Sequence, residues 1–226
     1  TYTTPGNVHD SQPYIARLER QLSRFKLNPI AAGLDAGYFT APVCHLTEQI
    51  DIIPVIGYRR PNKGQNALQK KHFRYDAKQD VYHWPQGQQL LYKTTSREGY
   101  RHYHSSPEVC AQCPRLSDCT QSKNSQKVVT RHVWEGSKER ANQMRLTAWG
   151  KKVYARRKET VERSFADAKQ HHGHRYARFR GLMKVQMQCL LAAAAQNMKK
   201  MALFYCLLMI YRVQNRVVGC EKMLMA

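Results

Sequence analysis

The sequence predicts an α/β fold with a basic, Cys-containing insertion and a helical C-terminal part. Three observations point there. Helix, strand, helix and strand patterns alternate within the first 60 residues, as in a parallel sheet with crossover helices. From RRPNKGQNALQKKH (59–72) to about residue 135 the composition turns polar and rich in Tyr, His, Lys and Arg. Helical signals return near Glu139 and hold to about Tyr211. The corresponding parts are residues 1–60, 61–138 and 139–211, with a tail at 212–226.

Each element follows from its residues. In DSQPYIARLERQLSRF (10–25), Ser11 as N-cap and Pro13 in the first turn start a helix. Ile15, Leu18, Leu22 and Phe25 form its apolar stripe, and Asn28-Pro29 ends it. IAAGLDA (30–36) is short, apolar and closed by an Asp-Ala-Gly turn, the pattern of a buried strand. TAPVCHLTEQ (40–49) reads as a second helix and IDIIPVIGY (50–58) as a β-branched strand, where Pro54 calls for an edge or a bulge. DVYHW and QLLYKTT are strands of the insertion. Helix then runs through RRKETVERSFADAKQHH, a loop follows at GHRYARFRGLM (173–183), and a long apolar helix extends from about Val185 to Tyr211.

Thirty-seven Lys and Arg stand against 16 Asp and Glu, a formal net charge of +21. Such an excess speaks of partners rather than fold: nucleic acid first, an anionic membrane surface second, or simply a charged soluble surface. The longest apolar run, MALFYCLLMI (201–210), is too short to span a bilayer and reads as core or interface helix. No signal peptide follows Thr1, and a first residue other than Met implies a fragment or a product numbered from an internal start. Seven Cys, three clustered and four in apolar contexts, suit reduced thiols in a cytosol rather than a disulfide framework.

Four groups of residues could carry chemistry. In ETVERSFADAK (159–169), Val161, Phe165 and Ala168 form the expected buried stripe. Glu162 lies about 100° from Val161 and about 60° from Phe165, which places it at the core's border, half-buried. It is either a rigidly held ligand or a core-rim Glu paired with Lys158 or Arg163. Lys169 lies two turns further on the same face, whereas Asp167 and Glu159 read as solvated charges. Asp35, at the C-terminal end of an apolar strand, sits where ligands gather in open α/β sheets, or else makes an ordinary Asx turn before Gly37. Two such carboxylates suit Mg²⁺ and phosphodiester chemistry. Cys110, Cys113 and Cys119 have the spacing of a zinc knuckle, with His83, His102, His104 or His132 available as a fourth ligand. Finally, HHGHRYARFRGLMK (171–184) interleaves Arg175, Arg178, Arg180 and Lys184, which suit phosphates, with Tyr176 and Phe179, which suit stacking; the alternative is a solvated charged loop.

DAGYFTAP (35–42), IPVIGYRRP (53–61), CAQCPRLSDCTQSK (110–123) and above all RRKETVERSFADAKQHHGHRYARFRGLMKVQ (156–186) closely resemble bacterial insertion-sequence transposases of the DDE class. The resemblance runs from TPGNVHDSQ (4–12) to QNMKKMA (196–202). It implies an incomplete ribonuclease H-like catalytic fold. Asp35 matches the second catalytic Asp and Glu162 the catalytic Glu. Lys169, Tyr154 and Arg157 match the Tyr-Arg-Glu-Lys signature of related transposases. Four residues separate Arg157 from Glu162 where the usual pattern has three, so Lys158 is an alternative to Arg157. The first catalytic Asp of the family lies upstream of the TPGN-like segment, and Asp10 matches a non-catalytic position. Residues 1–226 are therefore expected to hold two of three metal ligands and to be inactive alone. In the family a Cys often precedes the Pro-x-Gly matching Pro85-Gln86-Gly87, where this chain has Trp84. The cysteines then form an intact zinc site completed by His, a decayed site, or reduced structural thiols.

The resemblance further implies Mg or Mn at a two-metal site, DNA (transposon ends and target) as partner, no membrane, a homodimer or higher oligomer on DNA, and a cytoplasmic, nucleoid-associated place in a bacterium. Two rival functions remain at this level. One is a non-catalytic, zinc-stabilised nucleic-acid-binding protein; the other is a related metal-dependent nuclease that cuts without joining.

Overall fold

In the computed structural model, residues 2–58, 68–84 and 87–224 are described, with side chains to residue 212. The start of the insertion at 59–67 and the Pro85-Gln86 pair lie outside the described residues, and Cys220 lies beyond the described side chains. The chain forms two compact units, residues 13–154 and residues 1–12 with 155–226. Helix and strand mix as expected, and among the described residues no helix is long and apolar enough to cross a membrane.

The first unit opens with α1 (Tyr14–Phe25). It begins later than Ser11 predicts, because the Ser11 hydroxyl is engaged with His9 Nδ1 at 2.7 Å and Pro13 stands at the N-cap without a side-chain bond. Lys26 ends the helix in the left-handed region at φ 52°. Next come β1 (Ala31–Leu34), α2 (Ala41–Gln49) and β2 (Ile53–Ile56). Thr40 caps α2 by accepting from Val43 N. The strands pair in parallel, Ala31 opposite Ile53 through Leu34 opposite Ile56, without a bulge. Pro54 costs this ladder nothing. Ile53 N and Gly57 N donate to Ile30 and Leu34, so the nitrogen of Pro54, one residue out of phase, lies on the far side. Val43, Cys44, Ile56 and Ala141 form a core against which Tyr14, Leu34, Tyr38 and Phe39 pack.

Five consecutive antiparallel strands follow: β3 (Arg74–Asp76), β4 (Val81–His83), β5 (Gln89–Thr95), β6 (Tyr100–His104) and β7 (Val128–His132). One face buries Tyr82, Leu90, Tyr103 and Val129 with Phe73, Trp84, Leu68 and Cys119. Asp80 accepts from the hydroxyls of Tyr75 (2.7 Å) and Tyr103 (2.6 Å), giving these packed rings their polar partner. Between β6 and β7 lie α3 (Pro107–Ala111) and α4 (Leu116–Cys119).

Helix resumes with α5 (Glu135–Leu146), four residues before the expected Glu139, and α6 (Ala148–Arg157). Thr147 divides them, its Oγ1 accepting from Gly150 N at 3.0 Å. Gly150 permits this tight corner: an added Cβ would lie 2.0 Å from Met144 O and 3.0 Å from Arg145 Cα, both backbone atoms that cannot swing aside. Lys158–Glu162 is π-helical, α7 spans Arg163–His171 and α8 spans Leu182–Leu224. Gly150→Ala is expected to destabilise the first unit by about 3 kcal/mol or more, at the upper end of overpacking costs, read as a fall in the urea midpoint.

Candidate active site

Asp35 directly follows β1. Its Oδ1 accepts from Gly37 N at 2.8 Å, so the Asx turn exists and fixes the carboxylate at the C-terminal end of the parallel pair. The residue is exposed, and the turn engages one oxygen only. The Tyr154 hydroxyl reaches the same corner. A Cβ added at Gly57, just past β2, would lie 2.6 Å from that hydroxyl and 3.1 Å from Ala36 N. The Tyr154 hydroxyl thus occupies the space that a side chain at Gly57 would fill, near the backbone of Ala36.

In the second unit, the stretch around Glu162 departs from the regular period. The π-turn over Lys158–Glu162 has i→i+5 rungs, and Thr160 Oγ1 donates back to Arg156 O at 3.0 Å. Arg157 and Glu162 are five apart and therefore one turn apart, as residues four apart are in an α-helix. The extra residue in the spacing is absorbed by the wider turn. The stripe expected at Val161, Phe165 and Ala168 is not the buried face. Val161 and Phe165 are 44% and 56% exposed, and only Ala168 is buried. Glu162 is exposed rather than half-buried, and among the described residues its side chain has no hydrogen bond or ion pair, including none to Lys158 or Arg163. Lys158 and Lys169 are exposed as well.

The inward face of α7 is instead Ser164, Asp167 and Ala168, and Asp167 is not a solvated charge. Lys199 Nζ donates to its Oδ1 at 2.7 Å, while Gln196 Nε2 and His172 Nε2 lie 3.2 Å from its Oδ2. Gln196 also donates to Ser164 O at 2.7 Å. These bonds tie α7 to α8 along one side of an open groove of about 770 Å³, whose lining includes Glu159, Val161 and Phe165. The Lys199 hydrogen bond, aided by those of Gln196 and His172, holds the Asp167 carboxyl down at about 2.

Beyond α7, the backbone N–H groups of His172 and His174 both return to Ala168 O. The loop then exposes Arg175, Arg178 and Arg180, with Tyr176 75% and Phe179 52% exposed. Lys184 is exposed in the first turn of α8.

In the first unit, Cys110, Cys113 and Cys119 line one small apolar cavity of about 40 Å³ with Phe73, Trp84 and Leu90. Burial raises the Cys119 thiol, and Cys110 Sγ donates to Ser105 Oγ at 3.1 Å. The three cysteines, close in sequence, thus share one cavity. His83, His102, His104 and His132 do not line the cavity: His83 faces Asp76, His104 faces Gln126, and His132 Nδ1 accepts from Trp134 N. Among the described residues, no group of three His, Cys, Asp or Glu is gathered closely enough to hold a metal ion.

Over residues 84–202, more than half of the chain, the sequence matches the family described as transposase DDE domain. The chain belongs to the DDE transposases. No curated protein and no solved structure matches it. The matched stretch contains Glu162, Lys169, the basic loop and the three cysteines; Asp35 lies outside it. Transposases of this class act on DNA and generally use divalent metal ions for strand cleavage and transfer.

Sequence reasoning missed Asp167, Gln188, Gln196 and Lys199. The one signal for Gln188, Gln196 and Lys199 is the polar interruption of a helix that is otherwise apolar around residues 185–210. Because the folded Asp167 carboxyl titrates below its ordinary value near 3.8, its contribution is complete above that value and is lost as pH falls toward about 2. Carboxyl chemical shifts should show this depressed titration in the transposase and a return toward the ordinary value in Lys199→Met.

Proposed function

We propose that this transposase uses Asp35 and Glu162 as carboxylate ligands of Mg or Mn in DNA strand cleavage and strand transfer, within an insertion-sequence transposase of bacterial type. The family match over residues 84–202 carries the reading. Both carboxylates are hard oxygen donors, exposed, with Oδ1 of Asp35 engaged by its turn and Glu162 unengaged among the described residues, which suits ions that keep positions for water and phosphate. The chemistry such ions supply when bound is activation of a water or a DNA 3′-hydroxyl and stabilisation of the leaving oxygen. The β1–α2–β2 unit supports a ribonuclease H-like reading of the core, with Asp35 at the sheet end where ligands collect.

The remaining assignments concern DNA. Lys169 follows Glu162 by two helical turns and positions a phosphate near the scissile bond. Tyr154, Arg157 and Lys158 supply further contacts on the approach to Glu162. Arg175, Arg178, Arg180 and Lys184 hold backbone phosphates, and Tyr176 and Phe179 stack on a frayed end. The three cysteines take no part in this chemistry.

Nicking and strand transfer of a labelled DNA end in Mg²⁺ test the carboxylates: activity should disappear in Asp35→Ala and in Glu162→Gln, and activity indifferent to both substitutions would sink the assignment. Phosphate binding by the loop predicts a steep fall of log affinity with log salt. Replacing Arg175, Arg178 and Arg180 by Ala should lower that slope by about 0.9 for each phosphate no longer neutralised.

A further inference from the structure

We propose that Gln188, on α8, is a positioning residue that presets the backbone of the 172–181 loop for DNA phosphates; this rests on reading that loop as a phosphate-binding element. The Gln188 amide makes three bonds to loop backbone. Its Nε2 donates to Gly173 O at 3.2 Å and Tyr176 O at 2.8 Å, and its Oε1 accepts from Arg178 N at 3.0 Å. The orientation of the amide follows from these partners: turned over, its NH₂ would face the N–H of Arg178 and its oxygen would face two carbonyls.

Little else holds the middle of the loop. Arg175, Tyr176, Arg178, Phe179 and Arg180 are exposed, so no core packing orders them. The ends are fixed: His172 and His174 return to Ala168 O, and Gly181, at φ +91°, turns the chain into α8. Between them, Gly173 at φ +62° leaves room for the Arg178 side chain, whose Nη2 would lie 2.9 Å from an added Cβ. Gln188 therefore joins the start of the arch to its far side and sets the spacing of Arg175 and Arg178. A loop already in its bound shape loses less freedom when DNA arrives, and that difference appears as affinity.

The experiment measures binding of a random-sequence duplex across a salt series for five proteins. These are wild type, Gln188→Met, Gln188→Glu, the triple Arg175→Ala/Arg178→Ala/Arg180→Ala protein, and Gln188→Met combined with the triple. Met keeps the length and apolar bulk of Gln but none of the bonds. Gln188→Met is expected to weaken binding about tenfold and flatten the salt slope, with an unchanged thermal midpoint. It should add nothing in the triple-Ala background, since its effect acts through those arginines. Gln188→Glu should bind at least as weakly as Gln188→Met, because a carboxylate would face two carbonyl oxygens. If the triple-Ala protein binds weakly but Gln188→Met binds like wild type, the positioning role is wrong and the loop reading stands. If Gln188→Met weakens binding equally in both backgrounds, Gln188 acts on the fold and the proposal is overturned. If the triple-Ala protein binds like wild type, the loop reading falls and takes the proposal with it.

Discussion

The carboxylate of Asp167 is the point on which the C-terminal unit is organised. Three donors converge on it, Lys199 and Gln196 from α8 and His172 from just past α7, and its low pKa reflects their combined pull. Neither helix has a strong apolar reason to meet the other there, since α7 offers only Ala168 as a buried apolar residue. A polar clamp takes the place of a hydrophobic seam, and it fixes how the helix that follows Glu162 lies along α8. The loop between the helices inherits that geometry, because both its ends are anchored in them. Removing one partner of such a cluster leaves the others with unmet polar groups, so the members act as a unit.

Gln188 repeats the logic further along α8. An amide is the side chain that can both donate and accept in one plane, and an arch of backbone needs both. Polar residues in a helix otherwise built of Met, Leu and Ala are costly to surround, and each of Gln188, Gln196 and Lys199 is matched to a specific partner across the gap. The arginines displayed on this arch stand on a backbone held by bonds that involve no arginine side chain.

What could be read beforehand divides along physical lines. The Asx turn at Asp35 and the α2 cap at Thr40 depend on residues within four positions of one another, and local propensity suffices for them. That Cys110, Cys113 and Cys119 line one cavity is local in the same sense. Asp167 was legible only as a helix charge, because its partners lie about thirty residues on in another element. The exposure of Glu162, Val161 and Phe165 was illegible for the same reason: which face of α7 is covered is set by α8, whose Gln196 and Lys199 meet Ser164 and Asp167 from about thirty residues away.

The π-turn at Lys158–Glu162 changes how the chain should be compared with its relatives. A position-by-position comparison across the extra residue would put Lys158, rather than Arg157, at the place of the Arg in the Tyr-Arg-Glu-Lys pattern. A comparison by turns keeps Arg157, since the wide rung returns to register whatever lies one loop of helix earlier. Length and phase are thus uncoupled at a single site. A chain can gain a residue just ahead of its acid while everything downstream, Lys169 and the basic arch included, continues facing as before.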